Sequence, residues 1–111
     1  MSSYDVVVIG AGGAGLRAAV EARAAGLRVA IVCKSLFGKA HTVMAEGGAA
    51  ASMGNANSND NWQVHFRDTM RGGKFLNHFR VAELHAKESP DRIWEFEMWG
   101  ALFDRTKEGK I

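Results

Sequence analysis

Cysteine is nearly absent from this sequence, since Cys33 is the only one among 111 residues. A single cysteine excludes an internal disulfide and a thiolate metal cluster, and it fits a reducing compartment best. The sequence also lacks an apolar stretch long enough to span a bilayer, and its first residues lack the basic segment that opens a signal peptide. If the protein works at a membrane, we expect another subunit to hold it there.

An excess of charge of one sign is absent as well. Lys and Arg number 14 against 12 Asp and Glu, which gives a formal net charge of +2. The two signs are interspersed, so no basic stripe is available for a phosphodiester backbone and we predict no nucleic acid partner. No Ser-His-Asp, Cys-His or paired-carboxylate arrangement is recognisable, and His78 and His85 are two helical turns apart, too far to share a metal. The sequence therefore identifies no catalytic residue and no metal site.

The most informative pattern that is present lies near the start of the chain. The apolar run Val6–Ile9 leads into a G-x-G-x-x-G pattern and then into an Ala-rich helical segment, which is the context in which this pattern binds a dinucleotide. Gly10 permits a tight turn, Gly12 lets the backbone approach a diphosphate, and Gly15 lets the helix pack closely on the strand. Unpaired N–H groups at the helix start then face an anion. The alternative is a glycine-rich turn that joins a strand to a helix and binds nothing.

The first half of the chain predicts an α/β fold that opens with a βαβ unit. A segment rich in β-branched residues predicts a fully buried strand at 4–9, and a second apolar segment predicts a strand at 27–33. The segment between them predicts a helix at 13–25 that ends at Gly26. Residues 34–60 are rich in Gly, Ala, Ser and Asn and lack periodicity, so we interpret them as a loop that wraps a cofactor.

The second half of the chain predicts helices followed by a hairpin. The predicted helices are 61–73, 77–88 and 89–99, the last of them opened by Ser89 and Pro90, and the predicted hairpin is 102–111. The large apolar side chains of these helices lack interleaved basic residues, which favours core packing over a stacking platform. These side chains are Trp62, Phe66, Trp94, Phe96, Met98 and Trp99.

The end of the second predicted strand departs from the usual dinucleotide pattern. The acidic residue that ordinarily holds the adenosine ribose is missing, and Lys34 and Ser35 stand in its place. This disfavours ordinary NAD binding and leaves two options, a nicotinamide dinucleotide whose 2′-phosphate binds Lys34 or an FAD whose ribose is held by other groups. A third interpretation is that Lys34 is a solvated loop cation.

The segment His41–Gly48 is the second informative pattern. A lone histidine in a loop is usually structural or exposed. His41 is different because it precedes Thr42, small residues and Gly47-Gly48, a segment able to lie flat against a planar ring with its backbone amides pointing inward.

Together these patterns closely resemble the flavoprotein subunit of succinate dehydrogenase and fumarate reductase. The resemblance covers essentially the whole chain, and in that family a lysine in place of the ribose-binding acid is normal, which favours FAD. The matching segments are Gly10–Ala19, Lys34, His41–Gly48, Gly54-Asn55, Asn61-Trp62, His65-Phe66, Asp68-Thr69 and Gly100–Ile111.

The resemblance also implies a role for each matching residue. The glycine-rich turn would hold the FAD diphosphate, Lys34 and Ser35 would lie near the adenosine, and Thr42 with Ala45–Gly48 would line the isoalloxazine ring. His41 matches the histidine that bonds covalently to the flavin 8α carbon. The implied cofactor-binding residues are Gly10, Ala11, Gly12, Gly13, Ala14, Gly15, Lys34, Ser35, Ala40, His41, Thr42, Ala45, Glu46, Gly47 and Gly48.

The resemblance further implies an activity and partners. Such a flavoprotein interconverts succinate and fumarate by hydride transfer with FAD and passes electrons through an iron–sulfur subunit to quinone. Membrane anchor subunits would hold it as a peripheral protein on the cytoplasmic side of the plasma membrane. Residues 1–111 would then be the N-terminal portion of an incomplete Rossmann-like FAD-binding domain, with the capping domain and the family's substrate-binding and proton-transfer residues outside them.

Two alternatives remain open. The first is a soluble FAD oxidase or reductase, similar to aspartate oxidase or the soluble fumarate reductases, although these lack a histidine at the place of His41. The second is a truncated nucleotide-binding module without catalytic activity.

Overall fold

The computed structural model describes residues 3–46 and 48–111. The chain divides into two compact units, Met1–Gly48 and Ala49–Ile111. Each unit has its own secondary structure.

The first unit is a βαβ unit, as predicted. It contains β1 (Val6–Ile9), α1 (Gly13–Ala24) and β2 (Val29–Val32). The two strands are parallel, with Val6 opposite Val29 and Ile9 opposite Val32, and α1 packs against both. This arrangement confirms the predicted α/β fold, with strands shorter than the apolar segments suggested.

Two local features fix the ends of these elements. At the start of the sheet the Arg28 amide and guanidinium donate to the Asp5 carboxylate at 2.7 and 3.3 Å, and Arg28 thereby holds the pKa of Asp5 below its ordinary value. At the end of α1 the chain reverses through Gly26, whose φ of +83° a residue with a side chain rarely adopts. The predicted helix stop at Gly26 is therefore confirmed.

The prediction that the first strand is fully buried is wrong. Burial alternates along β1, and Val7 and Ile9 are 57% and 87% exposed. Parallel strands are buried when helices cover both faces of the sheet. In the part of the chain that the structure describes, the sheet has two strands and α1 covers one face, so the other face stays open.

The described residues of the segment 34–60, which are 34–46 and 48–60, are irregular as predicted, apart from one short element. A single 3₁₀ turn, the His41 turn, spans His41–Met44. It is closed by hydrogen bonds from the Val43 amide to the Ala40 carbonyl and from the Ala45 amide to the Thr42 carbonyl, at 3.1 and 3.3 Å.

The second unit is built from two packed helices, α2 (Trp62–Gly72) and α3 (Phe79–Met98). Asn61 caps α2, because its side-chain oxygen accepts a hydrogen bond from the Val64 amide at 3.1 Å. This confirms the helix predicted at 61–73. One stripe of α3 is buried, and its members are Ala82, Ala86, Ser89 and Ile93. None of the described helices is long and apolar enough to cross a membrane.

The prediction of two helices at 77–88 and 89–99 is wrong, because α3 runs without a break through Pro90. Ser89 and Pro90 match a helix start in sequence, and a proline inside a helix loses the backbone hydrogen bond to the i−4 carbonyl, here that of Ala86, and crowds that carbonyl with its ring. The buried Ser89 hydroxyl donates to that same carbonyl at 3.5 Å. Burial of Ser89 on the packed stripe keeps the two segments in one helix.

We expect Pro90→Ala to raise the free energy of unfolding by about 1 to 3 kcal/mol, since alanine restores the amide that Ala86 lacks. Ser89→Ala should lower the free energy of unfolding by about 0.5 to 1.5 kcal/mol when Pro90 is present. The decrease should be smaller in the Pro90→Ala background, where the Ala86 carbonyl accepts a backbone hydrogen bond. A double-mutant cycle by denaturant unfolding measures the difference. An equal cost in both backgrounds would contradict this account of the proline.

The predicted hairpin at 102–111 is only partly present. A turn forms, with the Thr106 amide donating to the Lys110 carbonyl at 2.8 Å, but no strand occurs among the described residues 100–111. Arg105 instead forms an ion pair with Glu97 of α3 and donates to the Gly109 carbonyl at 2.6 Å. Side-chain contacts, rather than hydrogen bonds between paired strands, thus stabilise this segment.

The predicted core role of the large apolar side chains is also wrong in the C-terminal half of α3. Trp94, Phe96, Met98 and Trp99 are 40%, 41%, 79% and 52% exposed. The packed stripe of α3 consists of small residues and Ile93, and the aromatic residues lie off that stripe. In α2, by contrast, Trp62 is half-buried under the Lys87 ammonium, which lies 4.4 Å from the ring centroid.

Candidate cofactor site

The glycine-rich turn follows the carboxyl end of β1. The Gly10 amide donates to the Val32 carbonyl at 2.8 Å, so the chain stays paired with β2 up to the point where it turns. Gly10 has a φ of +108°, outside the range that side chains favour. The predicted role of Gly10 in a tight turn is confirmed.

Gly15 lies where α1 crosses that turn. A Cβ atom at Gly15 would lie 2.0 Å from the Gly10 carbonyl oxygen and 3.3 Å from a methyl group of Val8. No side chain fits there without backbone movement. The predicted role of Gly15 in close packing of helix on strand is therefore confirmed.

The amino end of α1 is suited to an anion. Its cap residue, Gly12, has no side chain to satisfy the first amides, and the first turn of the helix carries no acidic residue. Amides at a helix start attract negative charge through their unpaired N–H groups and the helix dipole. A diphosphate matches this chemistry.

The loop after β2 returns to this end of the helix. The Gly13 amide donates to the Thr42 side-chain oxygen at 2.9 Å, a contact between residues 29 positions apart. A Cβ atom at Gly12 would lie 3.5 Å from that oxygen and 3.8 Å from the Ala40 Cβ. The structure therefore brings Ala40 and Thr42 to the glycine-rich turn, and no periodicity or motif in the sequence predicts this contact.

An open concavity of about 200 Å³ borders the same end of α1. It is lined almost entirely by apolar atoms, which complements the polar backbone next to it. The lining residues are Ala11, Leu16, Gly38, Ala40, Thr42 and Val43.

His41 begins the turn that Thr42 holds. Its imidazole is exposed and makes no hydrogen bond to the described residues, so its ring nitrogens are open to a reacting group. Ala45, Glu46 and Gly48 are exposed as well, and Gly47 lies outside the described residues.

Lys34 and Ser35 follow the carboxyl end of β2 and are exposed. The Cys33 thiol donates to the Ser35 carbonyl at 2.9 Å. Because the two strands are parallel, these residues and Gly10 leave the sheet at the same end, the carboxyl end of the strands. Ligands bind at this end in open α/β sheets. Among the described residues, no hydrogen bond or ion pair joins Lys34 or Ser35 to the glycine-rich turn.

The histidines of the second unit pack against other rings. His65 and His85 meet edge to face with centroids 5.4 Å apart, and His78 stacks on Phe79. This agrees with the interpretation of His78 and His85 as packing or surface residues. Within the described ranges, no group of three His, Cys, Asp or Glu residues is placed to hold a metal.

The comparison with protein families decides the identity of the domain. A family model described as an FAD binding domain matches residues 5–111. The chain belongs to the FAD binding domain family. This favours FAD over the nicotinamide dinucleotide that Lys34 had left open, and the glycine-rich turn and the anion-binding helix end fit that cofactor.

Individual relatives show which proteins with an FAD binding domain this chain resembles. The chain is 44% identical over 108 residues to the succinate dehydrogenase flavoprotein subunit of Rickettsia bellii, covering 97% of this chain and 18% of the relative. It is 47% identical to one chain of the fumarate reductase (CoM/CoB) of Methanothermobacter marburgensis, covering 96% of this chain and 20% of the relative.

A solved structure extends the likeness to the fold. A chain of the Sdh1 complex of Mycobacterium smegmatis, in the apo form, matches with a TM-score of 0.90 and 78% identity over 97% of this chain. That match covers 18% of the solved chain, so this FAD binding domain sequence spans about a fifth of the relatives it matches. The resemblance to succinate dehydrogenase and fumarate reductase flavoproteins is confirmed, as is the incomplete Rossmann-like fold.

Proposed function

We propose that this FAD binding domain is the N-terminal portion of a succinate dehydrogenase flavoprotein that carries FAD covalently on His41. The observation that carries the proposal is the 78% identity and TM-score of 0.90 to a chain of the Sdh1 complex. The two curated relatives, at 44% for the succinate dehydrogenase flavoprotein and 47% for the fumarate reductase, do not separate the two activities. The 78% identity to the Sdh1 chain favours the succinate dehydrogenase side.

The residues at the amino end of α1 provide the binding chemistry. Backbone amides of Gly12, Ala14 and Gly15 would hold the diphosphate, with Gly10 and Ala11 shaping the turn before them. The Gly13 amide is hydrogen-bonded to the Thr42 hydroxyl and would border the diphosphate from there. No acidic side chain in the first turn opposes a doubly negative group. Lys34 and Ser35, at the same end of the sheet, would lie toward the adenosine.

The His41 segment provides the other half of the site. The exposed His41 imidazole would supply the nitrogen for the bond to the flavin 8α carbon, and Ala40, Thr42 and residues 45–48 would border the ring. When bound, FAD supplies hydride transfer to and from the succinate carbon skeleton. The residues described here bind and orient the cofactor, and the proton-transfer groups belong to the rest of such a flavoprotein.

The proposal includes partners and a location. Electrons would leave through an iron–sulfur subunit to quinone, and anchor subunits would hold the protein at the cytoplasmic side of the plasma membrane. Support comes from the match to a chain of a named complex, the Sdh1 complex of Mycobacterium smegmatis.

Covalent attachment is tested with the protein expressed from its complete gene. We expect flavin fluorescence to migrate with the polypeptide after acid precipitation and denaturing electrophoresis, and the native protein to reduce an artificial electron acceptor when succinate is added. Complete release of FAD on denaturation, with no succinate-dependent reduction, would favour a soluble FAD oxidase or reductase. A polypeptide that binds no flavin would favour a module without catalytic activity.

A further inference from the structure

We propose that Thr42 is a positioning residue that fixes the His41 turn to the amino end of α1 before the cofactor binds. The inference deepens the proposed function and rests on it for the identity of the ligand. It rests on the structure alone for the contact between Thr42 and Gly13.

The hydrogen bond between Gly13 and Thr42 takes the place of a local helix cap. Helices usually begin with a side chain that accepts a hydrogen bond from one of the first amides. The cap residue of α1 is Gly12, which has no such side chain, and Thr42 supplies the acceptor for Gly13 from another part of the chain. A hydroxyl that accepts this bond keeps its own proton, which remains available to donate to an anion.

Thr42 also fills the space above Gly13. A Cβ atom at Gly13 would lie 3.2 Å from the Thr42 methyl group and 3.4 Å from its hydroxyl oxygen. A glycine at this position therefore permits the close approach of Thr42.

The His41 turn is four residues long, and none of its residues is buried. Little apolar packing stabilises such an element. The Thr42 hydroxyl supplies a side-chain hydrogen bond that joins the turn to α1. We expect loss of the hydroxyl to loosen the turn, and cofactor binding would then have to order it.

The test compares Thr42→Val, which removes the hydroxyl, with Thr42→Ser, which keeps it. Both are made in the complete protein carrying His41→Ser, so that FAD binds reversibly and its dissociation constant can be measured by flavin fluorescence quenching. We expect Thr42→Val to raise the dissociation constant roughly three- to tenfold, the effect of one hydrogen bond, and Thr42→Ser to stay within about twofold.

A second readout needs no cofactor. Hydrogen–deuterium exchange of peptides spanning 10–16 and 38–46 is followed by mass spectrometry in the flavin-free protein. We expect faster exchange in both peptides for Thr42→Val and unchanged exchange for Thr42→Ser.

If the Thr42→Val protein does not fold, the double variant Gly13→Ala with Thr42→Ser, here called the compensating pair, tests the same contact. Gly13→Ala places a methyl group against the Thr42 methyl, so it should weaken FAD binding and speed exchange of 38–46. Thr42→Ser removes that methyl and keeps the hydroxyl. We expect Gly13→Ala with Thr42→Ser to recover exchange protection relative to Gly13→Ala alone.

The outcomes separate the two hypotheses. Unchanged affinity and exchange in Thr42→Val, or no recovery in the compensating pair, would overturn the positioning role. Weaker FAD binding with unchanged exchange would also overturn it, because Thr42 would then act only by touching the cofactor. If the parent protein binds no FAD, the proposed function fails, while the exchange data still decide whether Thr42 holds the turn.

Discussion

Replacement of His41 by serine is expected to abolish covalent flavin while leaving FAD bound noncovalently. The backbone amides at the amino end of α1 are unaffected by the change, so the diphosphate keeps its proposed contacts. Denaturing electrophoresis should show a polypeptide without flavin fluorescence, and gel filtration of the native protein should still recover about one FAD per polypeptide.

The same variant should lose succinate oxidation more than fumarate reduction. In the proposed family the covalent link goes with a raised flavin potential, and each 30 mV lost from a two-electron couple shifts the equilibrium about tenfold against succinate oxidation. We expect succinate oxidation to fall at least about tenfold further than fumarate reduction, measured with dyes in both directions on one preparation.

The matched control is His78→Ser, another histidine-to-serine change at an exposed position. His78 stacks on Phe79 in the second unit and has no proposed contact with the cofactor. Its covalent flavin and both activities should equal those of the parent. Equal loss of the two activities in His41→Ser would argue against a role for the tether in tuning the potential.

Gly15→Ala is expected to have the largest effect on the fold. The added methyl group would lie 2.0 Å from the Gly10 carbonyl oxygen, so α1 has to move away from the turn that ends β1. Overpacking of this kind against backbone costs about 2 to 3 kcal/mol or more. We expect a lower midpoint of denaturant unfolding and loss of FAD binding, measured by titration.

Gly72→Ala provides the matched control for Gly15→Ala. Both glycines lie in helices, but a Cβ atom at Gly72 would meet nothing within 4 Å. Alanine should leave FAD binding unchanged and stabilise α2 by up to about 1 kcal/mol through its higher helix propensity. A Gly15→Ala protein with the parental midpoint and FAD affinity would show that the close approach of α1 to the turn is not required.

The features that could be predicted from sequence are those with a local physical cause. The helix that follows the opening strand, the helix stop at Gly26 and the helix start at Asn61 each depend on residues within a few positions of one another. Gly10 and Gly15 were predictable because the spacing of the motif itself encodes the turn and the close packing.

The features that sequence did not predict depend on contacts between distant residues. Ser89 and Pro90 carry the local signal of a helix start, yet burial of Ser89 on the packed stripe decides for a continuous α3. The exposure of Ile9 and Trp94 depends on which elements cover the faces of β1 and α3 on which they lie. The periodicity of a sequence does not predict this. The local pattern predicts on which face of a strand or helix an apolar residue lies. Whether another element covers that face depends on the tertiary packing.

By itself, the sequence determined that this chain opens with a dinucleotide turn and resembles the succinate dehydrogenase and fumarate reductase flavoproteins, because both conclusions depend on residue identity at fixed spacing. The tertiary structure alone decided that Thr42 reaches the Gly13 amide across 29 residues and places the His41 turn at the amino end of α1. A hydrogen bond between distant residues depends on where the loop folds back, and the spacing of residues along the sequence does not predict the course of the loop.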